Sequence, residues 1–167
     1  MKTRYLLILL LLMFPVLSIE ISGQLKQEQT EMLIYGRNFV FHADRAIPSR
    51  GSSIDLTTNV SYVKFTPDLI DSYMPFFGRA YGGVGYGNDS GFHFKGQPEE
   101  YKIDRKKNKY QITASVRSEN ENYRIFLTVT NSGTASMSIS SNNRESMNYQ
   151  GEIRPPAEMK GRKGEKD

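Results

Sequence analysis

The sequence predicts an all-β domain, an antiparallel meander of about eight strands that forms a sandwich or a partly open barrel. Several segments in the C-terminal half alternate apolar and polar residues with a period of two, as strands with one buried face do. The links between them are of hairpin length and contain Asn, Gly and Ser. The one helix signal lies near 67–73. The alternative is therefore an α+β arrangement in which that helix covers one face of the sheet.

The first half of the domain predicts two strands and the short helix. The first strand covers 37–47 and the second about 56–65, because apolar and polar residues alternate in both. Thr66 offers a capping hydroxyl, and a proline follows it, which suits the first turn of a helix. Pro75 would end that helix.

The second half predicts six strands with strict or near-strict alternation. The segment Asn131-Ser132-Gly133 predicts a tight hairpin, since Asn and Gly both tolerate a positive φ. The basic run 105–109 reads as a second hairpin loop. The six strands are expected at 92–94, 100–104, 109–118, 123–130, 134–140 and 146–153.

The termini predict export. Residues 1–23 have the layout of a secretory signal peptide, with a basic start, an apolar run and a small-residue exit. That run is shorter than the roughly 20 residues of a membrane-spanning helix, so an uncleaved anchor is the less favoured alternative. We expect a lead-in at 24–36, one β domain at 37–153 and a disordered charged tail at 154–167. The protein would be periplasmic or extracellular and would meet the membrane only transiently, through its signal peptide.

Composition excludes several kinds of chemistry. The chain has no cysteine, which rules out disulfides, thiol catalysis and thiolate metal sites. Most of the net charge of +4 lies in the two terminal segments, so nucleic acid is not an expected partner. The glycine run 82–87 lacks the Lys-Ser/Thr of a phosphate loop. His42 and His93 are the only histidines, fewer than a catalytic zinc usually needs together with its carboxylate. We therefore predict no metal and no cofactor.

The stretch 73–87 is the candidate binding site, because it joins aromatic residues and one arginine to a run of glycines. Such side chains offer large contact areas and a few fixed donors for a small ligand or an envelope protein. A packing interpretation competes, in which Phe76 and Phe77 fill the core and Arg79 pairs with a carboxylate such as Asp68 or Asp71. The predicted ligand-binding residues are Tyr73, Phe76, Phe77, Arg79, Tyr81 and Tyr86.

A non-catalytic binding module of the periplasm or cell surface is the expected function. The alternative is an envelope hydrolase that uses Ser90 with a histidine, or carboxylates among Asp89, Glu99 and Glu100. No spacing singles out a pair of these groups, so no catalytic residue is predicted. A structural scaffold in an envelope assembly is a third possibility.

The chain resembles the DUF4251 family, a domain of unknown function found in exported proteins of Bacteroidetes-type bacteria. The most specific part of the resemblance is the central stretch, where Leu is commoner in the family than Met74. The resemblance implies export and a single domain, but it carries no catalytic residues. It covers about 39–153 and rests on Phe39–Phe41, Asp68–Tyr81, Gly91–Phe94, Gly133–Ala135, Ser141–Arg144 and Tyr149–Gly151.

Overall fold

A computed structural model of the chain describes residues 23–24, 26–81, 91–118 and 121–156. Within these ranges one antiparallel sheet of ten strands follows a short helix, α1, at 26–35. This confirms the predicted antiparallel all-β class. The strands are β1 (Phe39–Ile47), β2 (Ile54–Asp55), β3 (Tyr62–Phe65), β4 (Ile70–Met74), β5 (Phe92–Gly96), β6 (Pro98–Lys106), β7 (Lys109–Ser118), β8 (Glu121–Thr130), β9 (Thr134–Ser141) and β10 (Met147–Arg154).

The sheet curls into a nearly closed barrel. Its strand order is β5-β4-β3-β1-β10-β9-β8-β7-β6, with β2 added beside β1. The two edge strands, β5 and β6, are consecutive in sequence, with Gln97 alone between them. The edge strand β5 reaches β7, the partner of β6, since a Cβ built on Gly96 would lie 2.8 Å from Cγ1 of Val116 in β7. The architecture is therefore the predicted partly open barrel, not a sandwich of two sheets.

The period-two pattern places the core inside this barrel. Inward side chains of β7, β8 and β9 are buried, whereas their neighbours along each strand face outward. Phe39 stacks on Phe65 with ring centroids 4.6 Å apart, and Phe94 stacks on Tyr123 at 4.0 Å. The second stack joins edge strand β5 to β8 through the interior, which helps to hold the barrel near closure.

The predicted helix at 67–73 is wrong, because β4 occupies that region. Ile70, Ser72 and Met74 are buried, while the residues between them face outward, a strand period. Thr66 makes a turn instead of a cap, since its backbone N–H and its hydroxyl both donate to the carbonyl of Leu69, each at 2.9 Å. A polar residue followed by proline starts turns as readily as helices. Pairing with β3 and β5 on both sides then favours the strand.

The short helix lies in the lead-in segment, for which the sequence pattern was too weak to choose a structure. Ile34 on α1 is fully buried and belongs to the core cluster. The helix ends where Gly36 N–H donates to the carbonyl of Met32 at 2.9 Å and Arg37 adopts a φ of 50°. Among the residues that the structure describes, no helix has the length and apolar character needed to cross a bilayer.

The connections agree in part with the sequence. The hairpin between β8 and β9 is confirmed, with Gly133 at a φ of 88° and its N–H donating to Thr130. The basic run 105–109 is also confirmed as a hairpin, between β6 and β7. The predicted strand 56–65 is confirmed only in its last four residues, which form β3, because the two-residue strand β2 ends before it begins and a turn lies between them. Almost all of the predicted signal peptide, and most of the predicted tail, fall outside the described residues.

Candidate functional site

The 75–81 segment leaves β4 and runs across one end of the barrel beside the 141–146 segment. Tyr81 N–H donates to the carbonyl of Asn143 at 2.8 Å. Glu145 N–H donates to the carbonyl of Arg79 at 3.0 Å, and Arg79 N–H donates back to the Glu145 carboxylate at 3.3 Å. These bonds attach the distal half of the 75–81 segment to the sheet, as an added strand would be.

The near half of the segment is fixed by side chains from the core. The Tyr149 hydroxyl donates to the carbonyl of Pro75 at 2.7 Å. Burial raises the pKa of Tyr149, opposed by the charge of a nearby arginine, so the phenol stays protonated and remains a donor. Phe76 packs edge-on against Phe92 at 5.0 Å. Its ring folds over Gly78, where a Cβ would lie 2.7 Å from the Phe76 ring, so a side chain at Gly78 would displace it.

Three predicted site residues in this segment face outward. The exposed fraction is 42% for Phe77 and 71% for Tyr81, and Arg79 is also exposed. Within the described part of the chain, Arg79 forms no ion pair with Asp68 or Asp71, so the pairing of the packing interpretation is not made. Only Phe76 behaves as the packing interpretation expects.

Tyr73 lies before the segment, on the outer face of β4, and is 47% exposed. Its ring stacks on His93 of β5 with centroids 4.1 Å apart and planes 5° apart. Tyr62 of β3 continues this row at 6.2 Å on the other side. Tyr73 therefore belongs to an aromatic ladder across three strands. Tyr86, the sixth predicted residue, lies outside the described residues.

The charged group that organises this end of the barrel is Arg144, which the sequence did not single out. Its side chain is 8% exposed and that of Glu121 is 13% exposed, with Arg144 Nε 3.4 Å from Glu121 Oε1. A second guanidinium nitrogen donates to the carbonyl of Gly91. Glu121 also accepts hydrogen bonds from Tyr123, at 2.8 Å, and from Ser141. The buried carboxylate is thus both paired and hydrogen-bonded.

Arg144 also links the two segments through packing. Its guanidinium carbon lies 5.8 Å from the ring centroids of both Phe76 and Phe92. Its backbone pairs with Ala80 in an isolated bridge. One signal was present in the sequence, since Arg144 ends one of the stretches that carry the family resemblance. Its burial depends on contacts with residues more than 50 positions away, which no local pattern shows.

The candidate groups of the hydrolase alternative lie only partly within the described residues. Asp89 and Ser90 lie outside them. Glu99 and Glu100 line one concavity, and the Glu99 carboxylate, about half exposed, lies 3.4 Å from Arg117 Nε. The described part of the chain brings together no group of three or more side chains of the metal-binding types.

The two histidines are separated within the sheet. His42 of β1 and His93 of β5 lie in one cross-strand row, with Tyr62 and Tyr73 between them. Three strand spacings put their Cα atoms roughly 14 Å apart, too far for one metal ion. Burial, helped by the charge of Arg154, lowers the pKa of His42.

Comparison with known proteins gives a family and a fold. The model of the family described as a domain of unknown function, DUF4251, matches residues 22–153. A crystal structure of a DUF4251 family protein from Bacteroides eggerthii aligns with a TM-score of 0.62 and 20% identity, over 78% of this chain and 88% of that chain. At that identity the match shows the fold alone. The search of curated proteins finds no match.

Proposed function

The chain belongs to the DUF4251 family, and we propose that it is an exported, non-catalytic binding module whose 75–81 segment docks onto a protein partner of the cell envelope. One observation carries this proposal. The backbone of the segment is fixed at both ends by hydrogen bonds, while Phe77, Arg79 and Tyr81 face away from the core. Aromatic residues and arginine are the types that dominate binding energy at protein interfaces.

The rigid backbone supports docking, because a preorganised contact loses little conformational entropy on binding. The shape of the surface favours a protein over a small molecule. The described cavities, of about 310 to 440 Å³, are lined by residues outside the 75–81 segment. The outward side chains of the segment line none of the described cavities, and the exposure of Phe77 and Tyr81 suits the kind of surface that a protein partner covers.

Site-specific photocrosslinking in the expressing cells tests the docking surface. A benzophenone amino acid replaces Tyr81 or Phe77 in the full chain, and adducts are resolved by mass. The matched control carries the same group at Phe126, on the outer face of β8, whose exposure of 44% is close to that of Phe77. We expect one defined adduct from positions 77 and 81 and none from position 126. Equal crosslinking at all three positions would mean that the segment has no special partner.

A second variant makes the test specific. Arg79→Ala removes an outward guanidinium that takes no part in the described ion pairs, so it should leave the fold intact and reduce the adduct from position 81. An undiminished adduct would remove Arg79 from the proposed interface.

Export rests on the residue pattern of 1–23. Fractionation should place the protein in the periplasm or outside the cell, with a new N-terminus after Ser18 or Gly23. A cytoplasmic protein that keeps Met1 would refute export without bearing on the docking surface.

A further inference from the structure

A different surface, on the outer side of the barrel, carries an inference beyond the docking segment. A concavity of about 440 Å³ lies where β6, β7, β8 and β9 run side by side. That volume is within the range of small-molecule sites. Its wall contains Glu100, Ser115, Arg124 and Ser140 together with Asn122 and Asn142, so it presents both signs of charge and several hydrogen-bonding groups.

Strand register explains the arrangement. Glu100 pairs with Ser115, Ser115 with Arg124, and Arg124 with Ser140, so the four residues form one row across four strands. Two strand spacings put the Cα atoms of Glu100 and Arg124 about 10 Å apart. The serines between and beside the two charged residues have small side chains, which leaves room for the concavity. No described ion pair joins Glu100 or Arg124 to an opposite charge.

The rim of the concavity is fixed by hydrogen bonds. Arg117 Nε donates to Asn122 Oδ1 at 3.0 Å, and the same nitrogen lies 3.4 Å from the Glu99 carboxylate. Asn122 N–H in turn donates to Asn142 Oδ1 at 2.9 Å. Because the side-chain oxygen of Asn142 accepts this hydrogen bond, its side-chain NH₂ group is the one left to donate to a ligand. The polar groups of the rim are thus oriented before any ligand arrives, which favours binding.

We propose that this concavity binds a short zwitterionic peptide, with its ammonium group at Glu100 and its carboxylate at Arg124. A dipeptide with free ends spans about 7 Å, which places its two charges on opposite sides of Ser115. The guanidinium of Arg124 can take a carboxylate through two parallel hydrogen bonds. The amide groups in the middle of the peptide match the serine hydroxyls and the asparagine amides of the wall.

Calorimetric titration of the purified protein with three probes tests the charge requirement. Glycylglycine has both charges, N-acetylglycylglycine lacks the ammonium group, and glycylglycinamide lacks the carboxylate. We expect glycylglycine to bind at least about tenfold more tightly than either of the others, since each loses one charge contact. Equal affinity for the three probes, or no heat from any of them up to about 10 mM, would overturn the proposal.

Substitutions assign each charge to its residue. Glu100→Gln should make glycylglycine and N-acetylglycylglycine bind equally, because the ammonium group has lost its partner. Arg124→Gln should make glycylglycine and glycylglycinamide bind equally. Glu28→Gln on α1 and Arg50→Gln in the loop after β1 make the same charge changes outside the concavity and should leave all affinities unchanged.

Two further outcomes would also refute the proposal. The first is the same loss of affinity in the two control variants, which would indicate a nonspecific effect of net charge. The second is binding of glucose where glycylglycine does not bind, which would indicate a site for uncharged polyols. The docking surface at 75–81 shares no residue with this concavity, so either proposal can fail without the other.

Discussion

The 75–81 and 141–146 segments lie side by side at one end of the barrel and use the same residue type in opposite ways. Each contains one arginine. Arg79 is exposed and forms no described ion pair, whereas Arg144 is buried against Glu121 and two phenylalanine rings. The two backbones are joined at the bridge between Ala80 and Arg144.

The contrast shows that an unusual amino-acid composition does not by itself make a segment important for the stability of the fold. The 75–81 segment has the more unusual sequence, yet most of its large side chains contribute little to the core. The 141–146 segment is rich in Ser and Asn, yet it supplies the charge that fixes this end of the barrel. Here the segment with the unusual sequence, 75–81, forms an exposed surface. The segment with the ordinary sequence, 141–146, holds that surface in place.

Replacing the two arginines should give the largest difference. Arg144→Ala leaves the Glu121 carboxylate buried without its partner, which should lower the free energy of unfolding by about 3–5 kcal/mol. Arg79→Ala should change it by less than about 0.5 kcal/mol, as exposed substitutions do. Denaturant unfolding of both variants measures the difference.

A second substitution identifies the cause. Adding Glu121→Gln to Arg144→Ala removes the buried charge and should recover part of the lost stability, since an unpaired amide costs less than an unpaired carboxylate. Similar losses from Arg79→Ala and Arg144→Ala would contradict the assignment of roles to the two segments.

The neighbouring phenylalanines should differ by a smaller amount. Phe76→Ala removes a half-buried ring that packs on Phe92, and we expect a loss of about 2 kcal/mol, less than for a fully buried phenylalanine. Phe77→Ala should cost less than about 0.5 kcal/mol. Thermal unfolding followed by circular dichroism compares the two. A larger loss from Phe77→Ala would show that its ring is packed rather than presented.

Removing one hydroxyl should loosen the 75–81 segment alone. Tyr149→Phe deletes the donor to the Pro75 carbonyl and should cost about 1 kcal/mol. Amide hydrogen exchange should quicken at 76–81 while the strands keep their protection. Tyr81→Phe, which removes an exposed hydroxyl, is the control and should leave exchange unchanged. Uniform quickening throughout the sheet would mean that the segment is not a separate unit.

The smallest effect lies outside both segments and concerns pH. Burial, then the charge of Arg154, lowers the pKa of His42 from 6.5, while Glu152 and Asp44 act in the opposite direction. Between the folded pKa and 6.5 the unfolded chain binds more protons, so stability falls as pH falls through this window. The contribution is complete above pH 6.5.

Unfolding at about pH 7.5 and at about pH 5.5 measures this effect. The parent protein should lose stability at the lower pH, and His42→Asn should lose less. An equal loss in both would assign the pH dependence to groups other than His42.

The sequence was sufficient to predict the strands of the meander, because the alternation of apolar and polar residues is a local pattern. The predicted strand 109–118 is identical to β7, and β8 to β10 begin and end within two residues of the predicted bounds. Prediction failed where local signals were ambiguous. Thr66 and the proline after it suit a turn and a helix equally, and only pairing with β3 and β5 decides for the strand.

The sequence predicted a candidate binding stretch at 73–87 but did not orient its side chains. Its composition could not say which of Phe76 and Phe77 faces the core. That choice depends on Phe92 and Arg144, which are distant in sequence and reach the segment only in the folded barrel. The concavity at Glu100 and Arg124 was missed for the same reason, because strand register alone places these residues in one row.

The strand order of the barrel has a consequence for its connectivity. Around the sheet, each consecutive pair of main strands is both linked in sequence and hydrogen-bonded, with two exceptions. At Gln97 the chain continues although β5 and β6 are not paired, and between β1 and β10 the strands pair although no chain joins them directly. The ring of strands thus lacks a direct chain connection between β1 and β10, and it lacks hydrogen bonds between β5 and β6.

In a circular permutant, the ends near β1 and β10 would be joined and the chain would be opened at Gln97. The missing chain connection and the missing hydrogen bonds would then lie at the same place. The strands of the permutant would follow one another in sequence as they do in space, and the pairing of β1 with β10, which now spans nearly the whole domain, would become local. Folding rates fall as contacts become more distant in sequence, so the permuted chain should fold faster than the native one.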